Sequence, residues 1–152
     1  MKYTWSYSSI SLFQQCPRKY YRMRVLKDIA EPPQAHLDYG KVVHKAAEDY
    51  IKSDIPIPEK FSFLQKPLDA LKKIPGQKFC EEKVAVANRQ GRLVTCDFFA
   101  KDVWYRGVAD LLILQDDEAY LVDYKTSKNA KYADTLQLDL MAGAIFIKYP
   151  QI

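Results

Sequence analysis

What this sequence lacks narrows its class before any motif is read. It has only three cysteines, Cys16, Cys80 and Cys96, with no Cys-x-x-Cys or other close spacing. An odd number so scattered argues against a disulfide framework or a zinc site, and for reduced thiols inside a cell. No apolar run approaches the roughly 18 residues of a membrane span. The opening MKYTWSYSSIS has no apolar signal core, so no membrane association and a cytoplasmic location are expected. Internal repeats, low-complexity tracts and obvious interdomain linkers are absent as well. Charge of one sign is not in great excess either. A formal net charge of +4 is compatible with a nucleic-acid partner but does not demonstrate one.

What is present suits an ordinary globular chain. Its 152 residues, 48% apolar and 28% charged, are enough for one domain with a proper core. Ser8 is placed to cap a helix through Ile10, Leu12 and Phe13 towards Tyr20 and Met23, with Pro17 as a kink within it. Arg18, Lys19, Arg22, Arg24 and Lys27 interleave with Tyr20 and Tyr21 there. Such a mixture can track a phosphate backbone and stack on bases. From charge alone a solvated basic face with inward tyrosines is the better reading. Residues 29–38 read as a proline-containing loop, and Gly40 as the residue before a helix KVVHKAAEDYIK with Val43, Ala46, Ala47 and Tyr50 towards the core. His44 and Glu48, four apart, share one face of it, although an isolated helical histidine is more often packed or solvated than a ligand.

Pro56 and Pro58 hold 53–59 extended, and 60–74 reads as a helix despite Pro67, ended by Pro75-Gly76. Strands are expected over 78–87 and 93–100, joined by a turn at 88–91. In the first of these Glu81 and Glu82 are adjacent, so at most one can face any given site. A last helix is expected over 132–148, with Asp134 near its start, Leu136, Leu140 and Ile145 in its apolar stripe, and Pro150 just beyond. Helices, then an antiparallel meander, then a helix packed back on it make an α/β sandwich with a mixed or antiparallel sheet, not a doubly wound parallel one.

The chemistry concentrates in 104–127, WYRGVADLLILQDDEAYLVDYKTS. Two strands, 105–114 and 119–125, flank an all-polar turn. Pairing Leu114 with Ala119 and counting back sets Asp110 opposite Asp123. Like charges at such positions repel, and both lie among Val, Leu and Ile, where an unpaired charge is costly. Something positive should sit between them. Lys125, two residues past Asp123, lies on the same face by alternation. Two carboxylates and a lysine around one point suit a divalent-metal phosphodiesterase, the acids holding metal and the lysine steadying phosphate or water. The bland counterpart is a solvated Asp/Lys pair at a strand end, which is common and worth little.

Taken together, SSISLFQQCPRKYY, YGKVVHKAAEDY, GVAD, VDYKTS and QLDLM resemble the PD-(D/E)XK nuclease superfamily, and within it the RecB-like exonuclease branch. They come in the family's order and run from Ser8 to about Met141. The resemblance implies a restriction-endonuclease-like core, with a central mixed or antiparallel sheet flanked by helices. It implies His44, Asp110 and Asp123 as metal ligands, joined by the backbone carbonyl of Tyr124, with Asp110, Asp123, Lys125 and Gln137 as catalytic residues. Mg2+ or Mn2+ is the expected cofactor. Glu48, or one of Glu81 and Glu82, is a candidate to reach a second metal or a bridging water. Arg18, Lys19, Tyr20 and Arg22 then become candidates to grip DNA.

Two departures stand out. Met141 occupies the tyrosine slot of the family's Gln-x-x-x-Tyr motif. Cys16 stands where iron–sulfur members carry their first cluster cysteine, but no cysteine follows Cys96, so no cluster is expected and Cys16 reads as a buried apolar residue. The resemblance implies one nuclease domain over 1–152, minimal or trimmed from something longer, as its larger relatives continue further. The activity implied is a metal-dependent DNase, an exonuclease on linear or single-stranded ends, in recombination, repair or phage DNA metabolism, alone, as a homo-oligomer or in a larger recombination complex. A bacterial or phage origin fits. The alternatives are a non-catalytic nucleic-acid-binding module and an endonuclease of the same superfamily.

Overall fold

The protein is described by a computed structural model that covers residues 3–30, 35–125 and 135–152. Two long strands, β1 (Gln77–Arg89) and β3 (Val103–Leu114), pair antiparallel along nearly their whole length and form its spine. The short β2 (Arg92–Thr95) flanks β1 and the short β4 (Ala119–Val122) flanks β3, giving a sheet ordered β2-β1-β3-β4. Gln90 and Gly91, both at positive φ, turn the first hairpin between Arg89 and Arg92, the backbone that a tight two-residue turn needs. The pairing is antiparallel throughout. A parallel element comes from Trp5, whose N–H reaches Trp104 O at 2.8 Å and whose carbonyl accepts Arg106 N–H at 3.0 Å.

Helices cover both faces. On one, α3 (Ala35–Ser53) and α4 (Gln65–Lys73) bury Ala47, Ile51 and Leu68 against Leu111 and Ile113. On the other, α5 (Thr135–Lys148) packs Met141, Ala144 and Ile145 on Val84, Val86, Tyr105, Ala109 and Leu112. Leu111, Leu112 and Ile113 are consecutive and fully buried because successive strand residues serve opposite cores. This is the expected helix–sheet–helix sandwich, consistent with a restriction-endonuclease-like core. Among the described residues no helix is long and apolar enough to cross a membrane.

Several local expectations give way to finer structure. The first helix, α1 (Tyr7–Gln15), is capped by Ser6 rather than Ser8. Ser6 Oγ accepts Ser9 N–H while Ser9 Oγ accepts Ser6 N–H, a reciprocal box that closes the helix start at Ser6. Pro17 does not kink a continuous helix. Cys16 goes extended, and Pro17 opens a new helix, α2 (Pro17–Tyr20), at the position where its missing N–H costs nothing. That helix runs into a π-helical turn, Tyr21–Leu26. Cys16 is exposed, not buried; its Sγ caps the turn by accepting Lys19 N–H at 3.4 Å.

Further along, α3 begins at Ala35, so Gly40 lies inside the helix, because nothing in Ala35 to Tyr39 stops a helix once the prolines are passed. The expected helix over 60–74 is a 3-10 segment, Glu59–Leu64, followed by α4, which places Pro67 in the first turn, where it is tolerated. The second strand stops at Thr95, short of the expected 100. The expected start of the last helix, with Tyr132 and Asp134, lies outside the described residues.

Gly76 closes the approach to β1 at φ +113, and a Cβ there would stand 2.3 Å from Leu114 O, a backbone atom that cannot swing aside. Gly76→Ala is therefore expected to lower stability by about 2 kcal/mol or more, read as a fall in the urea midpoint at unchanged slope.

Candidate active site

The β3–β4 hairpin has the register its sequence implies: Leu114 faces Ala119, and the ladder runs through Ile113–Tyr120 and Leu112–Leu121 to Leu111–Val122. The next pair would be Asp110 with Asp123, and there the ladder stops. Two carboxylates cannot share that step without cations, and the chain solves it by leaving the strand after Val122. The Tyr124 N–H turns inward and donates to Asp110 Oδ2 at 2.6 Å. Each acid thus acquires its own partners.

Asp123 sits in a three-membered network. Gln137 on α5 donates Nε2–H to Asp123 Oδ1 at 2.9 Å, and its Oε1 accepts from Lys125 Nζ at 2.9 Å. The Lys125 ammonium lies 2.6 Å from Asp123 Oδ2, which is buried and otherwise makes no hydrogen bond. One glutamine therefore fixes both the acid and the lysine, donating to the first and accepting from the second. Lys125 sits with Asp123 rather than midway between the two acids, because residues 123–125 no longer follow strand alternation.

Asp110 belongs to α3. His44 Nδ1 lies 3.2 Å from Asp110 Oδ1, and His44 Nε2 lies 2.7 Å from the Tyr124 carbonyl oxygen. With an oxygen at each ring nitrogen, the proton-bearing imidazole is favoured: the Asp110 hydrogen bond raises the His44 pKa against the lowering effect of burial. The Tyr124 ring meets the imidazole edge-on at 5.8 Å. Its phenol is buried with no hydrogen-bond partner among the described residues, and burial pushes its pKa well up.

The three glutamates separate. Glu82 turns to the α5 face and binds Lys148 and the Tyr149 hydroxyl, the latter at 2.8 Å. Glu81 stands beside the site, its carboxyl pushed upward by burial and then by the charges of Asp110 and Glu48. Glu48 is held by Lys45 at 3.1 Å and by Lys52 at 3.6 Å. Glu81 takes a left-handed backbone (φ +52), strain of the kind that collects at functional sites. It does so at the step where the β1–β3 ladder passes from Cys80–Leu111 to Glu82–Ala109 without a Glu81–Asp110 pair, the register being the same on either side. The face alternation changes phase at this step. Phe79 packs with the α5 core and Cys80 with the α3 core, yet Val84 and Val86 are back on the α5 side. On β3, Ala109 faces α5 while Leu111 faces α3. Both strands thus present consecutive side chains to the α3 face, Cys80 with Glu81 and Asp110 with Leu111. No periodicity in the sequence announces that inversion.

Of the basic helix residues, Tyr20 is 7% exposed and stacked on Trp5 at 5.4 Å, with Phe13 edge-on, so its ring is used in packing. Arg22 pairs with Asp28 at 2.8 Å, and Arg18 and Lys19 are exposed. Met141 lies in the α5 core, its methyl 2.6 Å from where a Cβ on Gly107 would stand, away from the carboxylates.

For a divalent cation the donor chemistry fits: carboxylate oxygens of Asp110 and Asp123, the Tyr124 carbonyl and the His44 imidazole. The buried Asp123 Oδ2, met by the Lys125 ammonium, is the clearest acceptor. Among the described residues no three such side chains converge as a ready-made cage; His44 and Lys125 lie against the carboxylate oxygens instead. A family model of the PD-(D/E)XK nuclease superfamily matches residues 4–144. No curated protein and no solved structure matches the chain.

Proposed function

We propose that this chain, which belongs to the PD-(D/E)XK nuclease superfamily, is a DNA exonuclease of the RecB-like type working at linear or single-stranded ends. The observation that carries the reading is the buried Asp123 carboxylate held between Gln137 and Lys125, one residue beyond the strand pairing that ends at Leu111–Val122. A structural ion pair needs no glutamine to orient both partners; a site that must present an acid and an ammonium at fixed spacing does. The order of the five motifs supports the RecB-like branch.

Asp110, Asp123, the Tyr124 carbonyl and His44 would hold Mg2+ or Mn2+, and a histidine ligand favours Mn2+. Bound there, the metal supplies a more acidic water and neutralises charge on the scissile phosphate. The protein's own groups do the rest. Lys125 stabilises negative charge that develops on the attacked phosphate. Gln137 is a positioning residue: it holds the Lys125 Nζ and the Asp123 Oδ1 in place. His44 lies between Asp110 Oδ1 and the Tyr124 carbonyl, from where its imidazole would serve as a ligand. Glu81, nearest in charge to Asp110, is the candidate for a second metal or a bridging water. Arg18 and Lys19 contact the phosphate backbone from the first helical segment.

End-labelled linear DNA and covalently closed circular DNA, incubated with Mg2+ or Mn2+, test the exonuclease reading. Loss of the linear DNA with the circle intact is the expected result. Cutting of the circle would replace it with an endonuclease. Cleavage of neither, with DNA still retained in a gel shift, would favour a binding module.

A further inference from the structure

The β2–β3 connection carries a feature that the cleavage site does not use. Phe98 and Phe99 stand side by side with ring centroids 5.2 Å apart, and Phe99 is 73% exposed, the most of any large apolar residue described. The loop that presents them is fixed. Asp97 Oδ1 accepts Phe99 N–H at 2.8 Å, and Asp97 O accepts Ala100 N–H at 3.1 Å. Lys83 Nζ lies 5.7 Å from both ring centroids, and the Arg106 guanidinium lies 5.3 Å from that of Phe98. Among the described residues neither cation has a carboxylate partner.

Their place on the sheet gives the cluster a direction. Glu82 and Tyr105 face α5, so Lys83 and Arg106 project from the opposite face. That is the face on which Asp110 meets His44. Arg106 precedes Asp110 by four residues on β3, about 13 Å along the strand.

We propose that Phe98 and Phe99, with Lys83 and Arg106, form a stacking station for single-stranded DNA on the sheet face that leads to Asp110 and Asp123. An exposed phenyl ring flanked by cations that have no carboxylate partner among the described residues offers a base its π-face and the neighbouring phosphates their counter-charges. Duplex bases are already stacked on one another and cannot use such a ring, which selects the single strand. The inference rests on the nuclease reading and names the form of DNA that the site receives.

Binding measured in EDTA, where no metal-dependent cleavage intervenes, separates the two claims. Fluorescent oligothymidine and an abasic strand of equal length are titrated by anisotropy against wild type, Phe99→Ala and Phe99→Trp. Wild type is expected to prefer oligothymidine; Phe99→Ala is expected to lose about five- to a hundredfold in affinity for it and almost none for the abasic strand. Phe99→Trp keeps the preference. Lys83→Gln and Arg106→Gln each lower the slope of log affinity against log salt by about 0.7. Equal affinity of wild type and Phe99→Ala for oligothymidine, or no preference over the abasic strand, overturns the station even if the protein cleaves DNA. A chain that shows the preference but cuts nothing keeps the station and loses the nuclease reading.

Discussion

Asp123→Ala is expected to reduce cleavage of linear DNA by about three orders of magnitude or more, the scale on which a group acting at developing charge is felt, while the protein stays folded. The substitution removes a buried carboxylate oxygen whose partner among the described residues is the Lys125 ammonium, and with it a metal ligand of the proposed site. What it leaves behind is tolerable. Gln137 Nε2 loses an acceptor and Lys125 its ion pair, but Lys125 keeps its hydrogen bond to Gln137 Oε1 and is half exposed to water, so the loss is about 1 kcal/mol. Single-turnover rates in Mn2+, with a denaturant titration beside them, separate the two effects. A near-normal rate would show that Asp123 is an ordinary partner for Lys125 and that the site lies elsewhere.

Lys125→Ala carries the second large effect and a different signature. Turnover should fall by about a hundred- to a thousandfold, because the ammonium 2.6 Å from Asp123 Oδ2 is the cation placed to meet the phosphate. Metal affinity should hold or tighten, since Lys125 competes for the carboxylate oxygen a metal would take. Calorimetric titration with Mn2+ reads this directly. Equal losses of turnover and of metal affinity would make Lys125 a structural counter-ion, with no part in the chemistry.

These expectations stand on a site that was legible only in part from the sequence. The hairpin register was readable because the alternation of apolar residues and a four-residue polar turn leave one sensible pairing, and Leu114 with Ala119 is that pairing. Charge arithmetic also carried far: two facing acids demand relief, and Lys125 is near enough to give it. The form of the relief was not readable. A backbone N–H, that of Tyr124, reaches Asp110 because the strand ends at Val122, and no side-chain pattern encodes where a ladder stops. The phase change at Glu81 is hidden for the same reason, being a backbone event at a skipped pair with the same register on both sides.

The cap is ambiguous in the sequence because residues of one type adjoin: Ser6 has Ser9 three residues on as Ser8 has Ser11, and the structure forms the Ser6–Ser9 pair. Gln137 came from a motif rather than from spacing, since twelve residues separate it from Lys125. The Phe98–Phe99 station escaped because 93–100 looked like a strand, in which neighbouring rings would face opposite sides; the ladder's end at Thr95 sets them together.

The most direct test of the account is release of end label from linear DNA by wild type and Asp110→Ala, each in Mn2+ and in EDTA. Asp110 holds His44 and the Tyr124 N–H and is proposed to share the metal with Asp123. The account predicts release by wild type in Mn2+ alone, with none in EDTA and none from Asp110→Ala in either. Release that persists in EDTA, or an Asp110→Ala protein as fast as wild type, would contradict it.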